Sequence, residues 1–144
     1  MASSGVKVDE ETVNTYKAMK LRKVNYRYVM MGIEADGFIK VVLAKERNVN
    51  QSQEEEFNDF LQSLPQDIGR YCIIDLTIPQ KNGAQKDIMF LITWCPSGAP
   101  TKSHIMYTTS KKALTDKIRE GMTEIQANDL SDLVYSEFLE RGCK

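Results

Sequence analysis

The apolar positions change period along the chain, and each change marks an element. Val13, Tyr16 and Met19 recur at three-residue steps behind Asp9, with Glu10 and Glu11 at the start and Lys20, Arg22 and Lys23 at the end. That order of charge suits the helix dipole, with Asp9 as the cap, and predicts a first helix. Tyr26–Ile33 and Phe38–Leu43 are rich in strand-forming residues and are separated by Glu34-Ala35-Asp36-Gly37. Asp-Gly is a strong hairpin signal, so the two runs should pair antiparallel. Ser52-Gln53-Glu54-Glu55 has capping-box spacing, and Phe57, Phe60, Leu61 and Leu64 follow at helical intervals before Pro65. A second helix is predicted there.

Arg70–Thr77 and Ile88–Trp94 read as central strands, the second apolar at nearly every position, as in a strand covered on both faces. The connection 78–87 contains Pro79, Asn82 and Gly83 and reads as an exposed turn. Pro96, Gly98 and Pro100 make a stiff loop, after which a long helix is predicted from about Ser103 to Glu120, closed by Gly121. One side of it carries Tyr107, Ser110, Leu114 and Ile118; the other carries His104, Thr108, Lys112, Thr115 and Arg119. The first side should pack and the second should meet solvent or a partner. A short strand over Glu124–Ala127 and a helix over about Ser131–Arg141 complete the order α-β-β-α-β-β-α-β-α. The fold class is α/β, a mixed sheet of five to six strands with helices on both faces.

A chain of 144 residues, 42% hydrophobic and 27% charged, fits one folded domain. No apolar run approaches the ~20 residues that cross a bilayer, and no apolar leader opens the chain, so a cytoplasmic protein is expected. Cys72, Cys95 and Cys143 are odd in number and lack C-x-x-C spacing, which favours free thiols over a disulfide framework or a zinc site. The net charge of −1 hides a segregation. Gln51–Gly69 holds five acids and no base; Thr101–Gly121 is net +3; Met122–Lys144 is net −3. Basic charge concentrated on the long helix suits an acidic partner. It is too sparse, and too free of interleaved aromatics, for a nucleic-acid surface.

Candidate chemistry is thin. The one histidine, His104, opens a helix expected to be exposed, and no local motif joins it to Cys72 or Cys95. Neither a G-x-G-x-x-G, a phosphate loop nor an H-E-x-x-H occurs. Glu54, Glu55 and Glu56 fall in a first helical turn, where the dipole accounts for them. No catalysis, cofactor or metal is expected. The reading is a binding module whose candidate surface is the outer face of the long helix.

Several segments carry a family resemblance in order and spacing: Ser4-Gly5-Val6, Arg27-Tyr28, Arg70-Tyr71, Trp94-Cys95-Pro96, Ala99-Pro100, Lys102-Ser103, Met106-Tyr107, Ser110-Lys111, Ile125-Gln126-Ala127-Asn128 and Glu140-Arg141. Together they resemble the actin-depolymerising factor and cofilin proteins over essentially the whole chain. The resemblance implies a single actin-depolymerising-factor homology domain over 1–144, with 1–8 a flexible arm. It also implies a monomer that binds actin monomers and filaments, prefers ADP-actin, and severs and depolymerises filaments.

By the same resemblance, Ser4, Gly5 and Val6, with Lys102, His104, Ile105, Met106, Ser110 and Lys112, would meet monomer and filament. Lys86, Glu140, Arg141 and Lys144 would add the filament contact. Lys102, Lys111, Lys112 and Lys117 would meet phosphoinositide head groups, and Ser4, or Ser3 beside it, would be phosphorylated. The alternative is a homologous module that decorates filaments or binds the branching complex without severing.

The chain departs from the family pattern at His104, where lysine is usual, at Lys112, usually acidic, and at Thr115 and Asp116, often basic. A histidine there would bring pH sensitivity to the surface. Lys20-Leu21-Arg22-Lys23 reads as a helix end rather than a nuclear-import cluster.

Overall fold

A computed structural model describes residues 5–118 and 122–143. Along the chain run β1 (Lys7–Val8), α1 (Glu10–Lys20), β2 (Tyr26–Ile33), β3 (Phe38–Glu46), α2 (Gln53–Ser63), β4 (Arg70–Pro79), β5 (Gln85–Trp94), α3 (Thr101–Thr115), β6 (Met122–Ala127), a 3-10 turn (Leu130–Asp132) and α4 (Tyr135–Gly142). The strands form one six-stranded sheet in the order β1-β3-β2-β4-β5-β6. Its four middle strands pair antiparallel, and β1 and β6 add in parallel at the two edges.

Register puts Met30, Cys72 and Ile92 side by side, and likewise Val29, Ile73 and Leu91. Because strand side chains alternate, these rows face opposite ways. The first row packs with Phe57 and Phe60 of α2 and Phe138 of α4. The second packs with Tyr16 and Met19 of α1 and Tyr107 and Leu114 of α3. Hence α2 and α4 cover one face of the sheet, and α1 and α3 cover the other.

The predicted hairpin and the capping box both form: Gly37 adopts φ +83, and Glu55 N–H bonds to Ser52 Oγ at 3.1 Å. Other expectations need correction. Asp9 occupies the N-cap of α1 without a side-chain bond, and Thr12, rather than Val13, is buried on that helix. Lys7 and Val8 are held in β1 against Phe38 and Ile39 rather than left in a free arm. β4 and β5 run on to Pro79 and back from Gln85, so Lys86 lies within β5, opposite Ile78, and not on the turn. α3 starts two residues early because Pro100, with φ −59 and no N–H, sets the first turn, and it ends at Thr115. Gly121, expected to close it, lies outside the described residues, as do Arg119 and Glu120.

The charged groups buried against this sheet, Arg27, Glu56 and Asp75, anchor an ion network. Arg27, on β2, reaches Glu56 of α2 at 3.2 Å and the main-chain carbonyl of Asp75 at 2.7 Å. The second Glu56 oxygen accepts the Asn48 N–H at 3.0 Å, so this pair is well satisfied. Asp75, only 1% exposed, takes Arg47 at 2.9 Å and Arg22 on the same oxygen. Arg22 sits just past α1 at φ 58, where glycine is usual, in a loop closed by Arg22 N–H to Met19 and Lys23 N–H to Ala18. The left-handed backbone aims its guanidinium at Asp75, and the ion pair offsets the strain.

Asp75→Ala should lower stability in urea unfolding by roughly 2–3 kcal/mol, below the range for a fully buried pair because Arg22 is half in water. Asp87→Ala, which loses the 3.6 Å contact to Arg22 and the 2.5 Å bond from the Thr77 hydroxyl, both at an exposed site, should change it by about 1 kcal/mol or less.

Candidate functional site

The first half of α3 is held from below by aromatic and backbone contacts. Tyr107, buried, accepts the Ile33 N–H on its hydroxyl at 2.9 Å, and its own carbonyl accepts the buried Tyr71 hydroxyl. Their rings lie 5.1 Å apart. Gly69, at the start of β4, donates its N–H to Ser103 Oγ at 3.3 Å. A Cβ there would stand 2.7 Å from Tyr107 Cδ1, so only glycine lets the loop and the ring approach. The Trp94 indole N–H fixes the α2–β4 connection through the Pro65 carbonyl at 2.7 Å.

Above this base, Gly5 and Val6 come together with the first turns of α3. They line an open, mostly apolar groove of about 570 Å³ with Ile33, Ile68, Pro100, Lys102, Met106 and Tyr107. Its rim carries Glu34 and Asp67 as well as Lys102. Ile105 stands outward, 59% exposed, and with Lys102, Met106 and Thr109 borders a second shallow hollow. An exposed isoleucine between a lysine and a half-buried methionine is an apolar anchor within a polar rim.

Three expected contact residues are placed differently. Ser110 is 0% exposed beneath the helix, so it helps seat α3 and presents nothing outward. His104 is half-buried, with Nε2 2.7 Å from the Pro96 carbonyl. Since a carbonyl only accepts, Nε2 holds the proton and ties the ring to its own loop. Lys112 is exposed but pairs with Asp116 at 3.1 Å, and Lys111 pairs with Glu124 of β6 at 2.7 Å. Among the described residues, Lys102 and Lys117 keep their charge without an ion pair. The basic face is therefore narrower than the lysine count suggests. Ser3, Ser4 and Lys144 lie outside the described residues.

A second group gathers at the far end of the sheet. Gln80 donates to the Gly142 carbonyl at 2.9 Å, which joins the β4–β5 turn to the end of α4. Lys86 on β5 and Glu140 and Arg141 on α4 are all exposed around that junction. The ten residues of β4 separate it from the α3 groove by roughly 30 Å at about 3.3 Å per residue.

A family model for cofilin/tropomyosin-type actin-binding protein matches residues 5–142. The chain belongs to that family. Cofilin of Schizosaccharomyces pombe is 35% identical over 98% of this chain and 97% of its own. Actin-depolymerizing factor 11 of Oryza sativa subsp. japonica is 34% identical over 98% and 93%. Plasmodium berghei actin depolymerization factor 2 superposes with a TM-score of 0.82 at 26% identity, covering 98% and 96%. The cofilin fold, a mixed six-stranded sheet between helices, is thus the fold of this chain.

Reading the residues alone missed the wall of the groove. Ile68, exposed beside Gly69-Arg70, was its one available signal, whereas Ile33-Glu34-Ala35 counted only as a hairpin end. Among the described residues no cluster of three or more His, Cys, Asp or Glu could hold a metal ion.

Burial pushes the Tyr71 phenol and the Cys72 and Cys95 thiols above their ordinary values. The unfolded chain releases these protons first, so the native state loses stability as pH climbs past roughly 9. Tyr71→Phe and Cys72→Ala should each flatten that decline in urea unfolding followed from pH 8 upward. Tyr107→Phe strands the Ile33 N–H and should cost roughly 1–2 kcal/mol, read by the same unfolding.

Proposed function

We propose that this protein binds actin monomers and filaments, favours the ADP-bound form, and drives turnover by severing filaments and promoting subunit loss. The observation that carries the reading is the meeting of Gly5-Val6 with the first turns of α3 around an apolar groove, with Lys102 and Ile105 outward. That is the arrangement for a helix docking in a cleft: apolar anchors supply affinity and a cation steers approach to an acidic surface. Family membership supports actin as the partner.

The second surface at Lys86, Glu140 and Arg141, with Lys144 following in the chain, gives a way to hold a filament. A rigid sheet presenting two patches roughly 30 Å apart engages two subunits at once, and contacts that fit an altered subunit geometry strain the lattice. Phosphoinositide head groups compete through Lys102 and Lys117, and less through Lys111 and Lys112, whose charges are met within the chain. Phosphorylation at Ser4, or at Ser3, would add about −1.5 to −2 of charge just ahead of Gly5 in the chain and oppose binding to acidic actin. The protein works as a monomer in the cytoplasm, on the cytoskeleton.

Co-sedimentation with preformed filaments, with filament lengths imaged, tests the reading. The wild-type chain should pellet with actin, shorten filaments and raise soluble actin. Ile105→Asp, at an exposed site, should weaken monomer binding roughly tenfold or more, the equivalent of losing one apolar side chain's burial. Lys86→Glu with Arg141→Glu should spare monomer binding and reduce filament binding. Binding without shortening would move the protein to a filament-decorating role, and no binding would refute the proposal.

A further inference from the structure

On the opposite side of the sheet from α3, a second groove runs between α2 and the start of α4. Its volume is about 460 Å³, and Phe57, Leu61, Leu133, Val134, Tyr135 and Leu139 supply its apolar lining. The walls are built before any partner arrives. Gln53 Nε2 donates to the Tyr135 hydroxyl at 2.9 Å, and the Phe57 ring lies 5.3 Å from Tyr135 and 5.1 Å from Phe138. Val134 is nevertheless 39% exposed, and Leu130 beside it is also exposed.

Among the described residues, the charged side chain that lines this groove is acidic. Glu54 lines it, Glu55 and Asp59 stand on the same helix, and Glu137 lies on α4, all exposed. Among the described residues no lysine or arginine lines it, and none occurs in the sequence from Gln51 to Gly69. None of these four carboxylates has an ion pair among the described residues. Among the described residues no strand residue lines the groove either, so an added β-strand would find no strand edge there to pair with.

We propose that this groove docks an amphipathic helix of a partner protein, with leucine-like side chains on one face and lysine or arginine on the other. The apolar face would cover Leu61, Val134 and Leu139, and the cations would meet Glu54 and Glu137. Apolar insertion supplies affinity, and the carboxylate rim supplies selectivity and a salt-dependent on-rate. The site lies on the face away from α3 and is independent of what α3 binds.

The test titrates the full chain with a Leu/Lys amphipathic peptide of about 18 residues, long enough to hold a helix, and with its Leu/Glu counterpart, following amide NMR shifts. The Leu/Lys peptide should shift residues around Leu61 and Leu133–Leu139, and the Leu/Glu peptide should not bind. Glu54→Lys with Glu137→Lys should weaken binding at least tenfold. Leu61→Ala, or Val134→Ser at the exposed position if the first variant unfolds, should weaken it severalfold with charge unchanged. Shifts centred on α3, or loss with the charge variants alone, would overturn the proposal in favour of diffuse attraction. No shift at millimolar peptide, or self-association showing a second copy in the groove, would also overturn it.

Discussion

The seat of α3 depends on a buried hydroxyl chain. The Tyr71 phenol, on the central strand β4, donates to the main-chain carbonyl of Tyr107, and the Tyr107 phenol in turn receives the Ile33 N–H at 2.9 Å from the end of β2. Both rings lie in the core, where an unmet polar group is costly, so the helix cannot slide along the sheet without stranding one of them. Gly69 removes the side chain that would hold the helix off. The groove between the N-terminal residues and α3 follows from that fixed height and register. Burial also raises the Tyr71 pKa, which extends retention of its donor proton further into the alkaline range.

The ion network does for α1 and α2 what the tyrosines do for α3. Asp75, in a mostly apolar strand, draws Arg22 from the end of α1 and Arg47 from beyond β3 to one oxygen. Arg27 and Glu56 close the gap between β2 and α2. Such pairs add less net stability than their number suggests, because desolvation opposes attraction. Their contribution is register: Arg47 and Arg27 meet their charge at Asp75 and Glu56, and Arg22 meets its own at Asp75 with a longer contact to Asp87. With both helix layers fixed, Lys102 and Ile105 face out from α3 on one side of the sheet, and Glu54, Glu55 and Asp59 face out from α2 on the other.

The elements legible in the sequence were those with a local cause. The Asp36-Gly37 hairpin and the Ser52 capping box depend on neighbours three or four residues away, and both formed where expected. β1 has only two residues and exists through Phe38 and Ile39, far along the chain, so no local pattern marks it. The site was legible in outline, since the apolar stripe of Tyr107, Ser110 and Leu114 is buried and Lys102 and Ile105 face out. Its charge was not, because Lys111 is met by Glu124 on β6, a strand the lysine spacing does not reveal. Asp116, four residues after Lys112, was a readable partner that counting net charge alone passed over. His104 turned inward for a similar reason: the Pro96 carbonyl that holds it comes from a loop whose path only the fold determines.

The most direct measurement is amide hydrogen exchange of the protein, free and bound to monomeric ADP-actin. If the surface seated by Tyr71 and Tyr107 is the docking face, exchange should slow at Gly5-Val6 and along the first turns of α3, with α2 unchanged. Slowing confined to α2 and α4, with α3 as in the free protein, would contradict it.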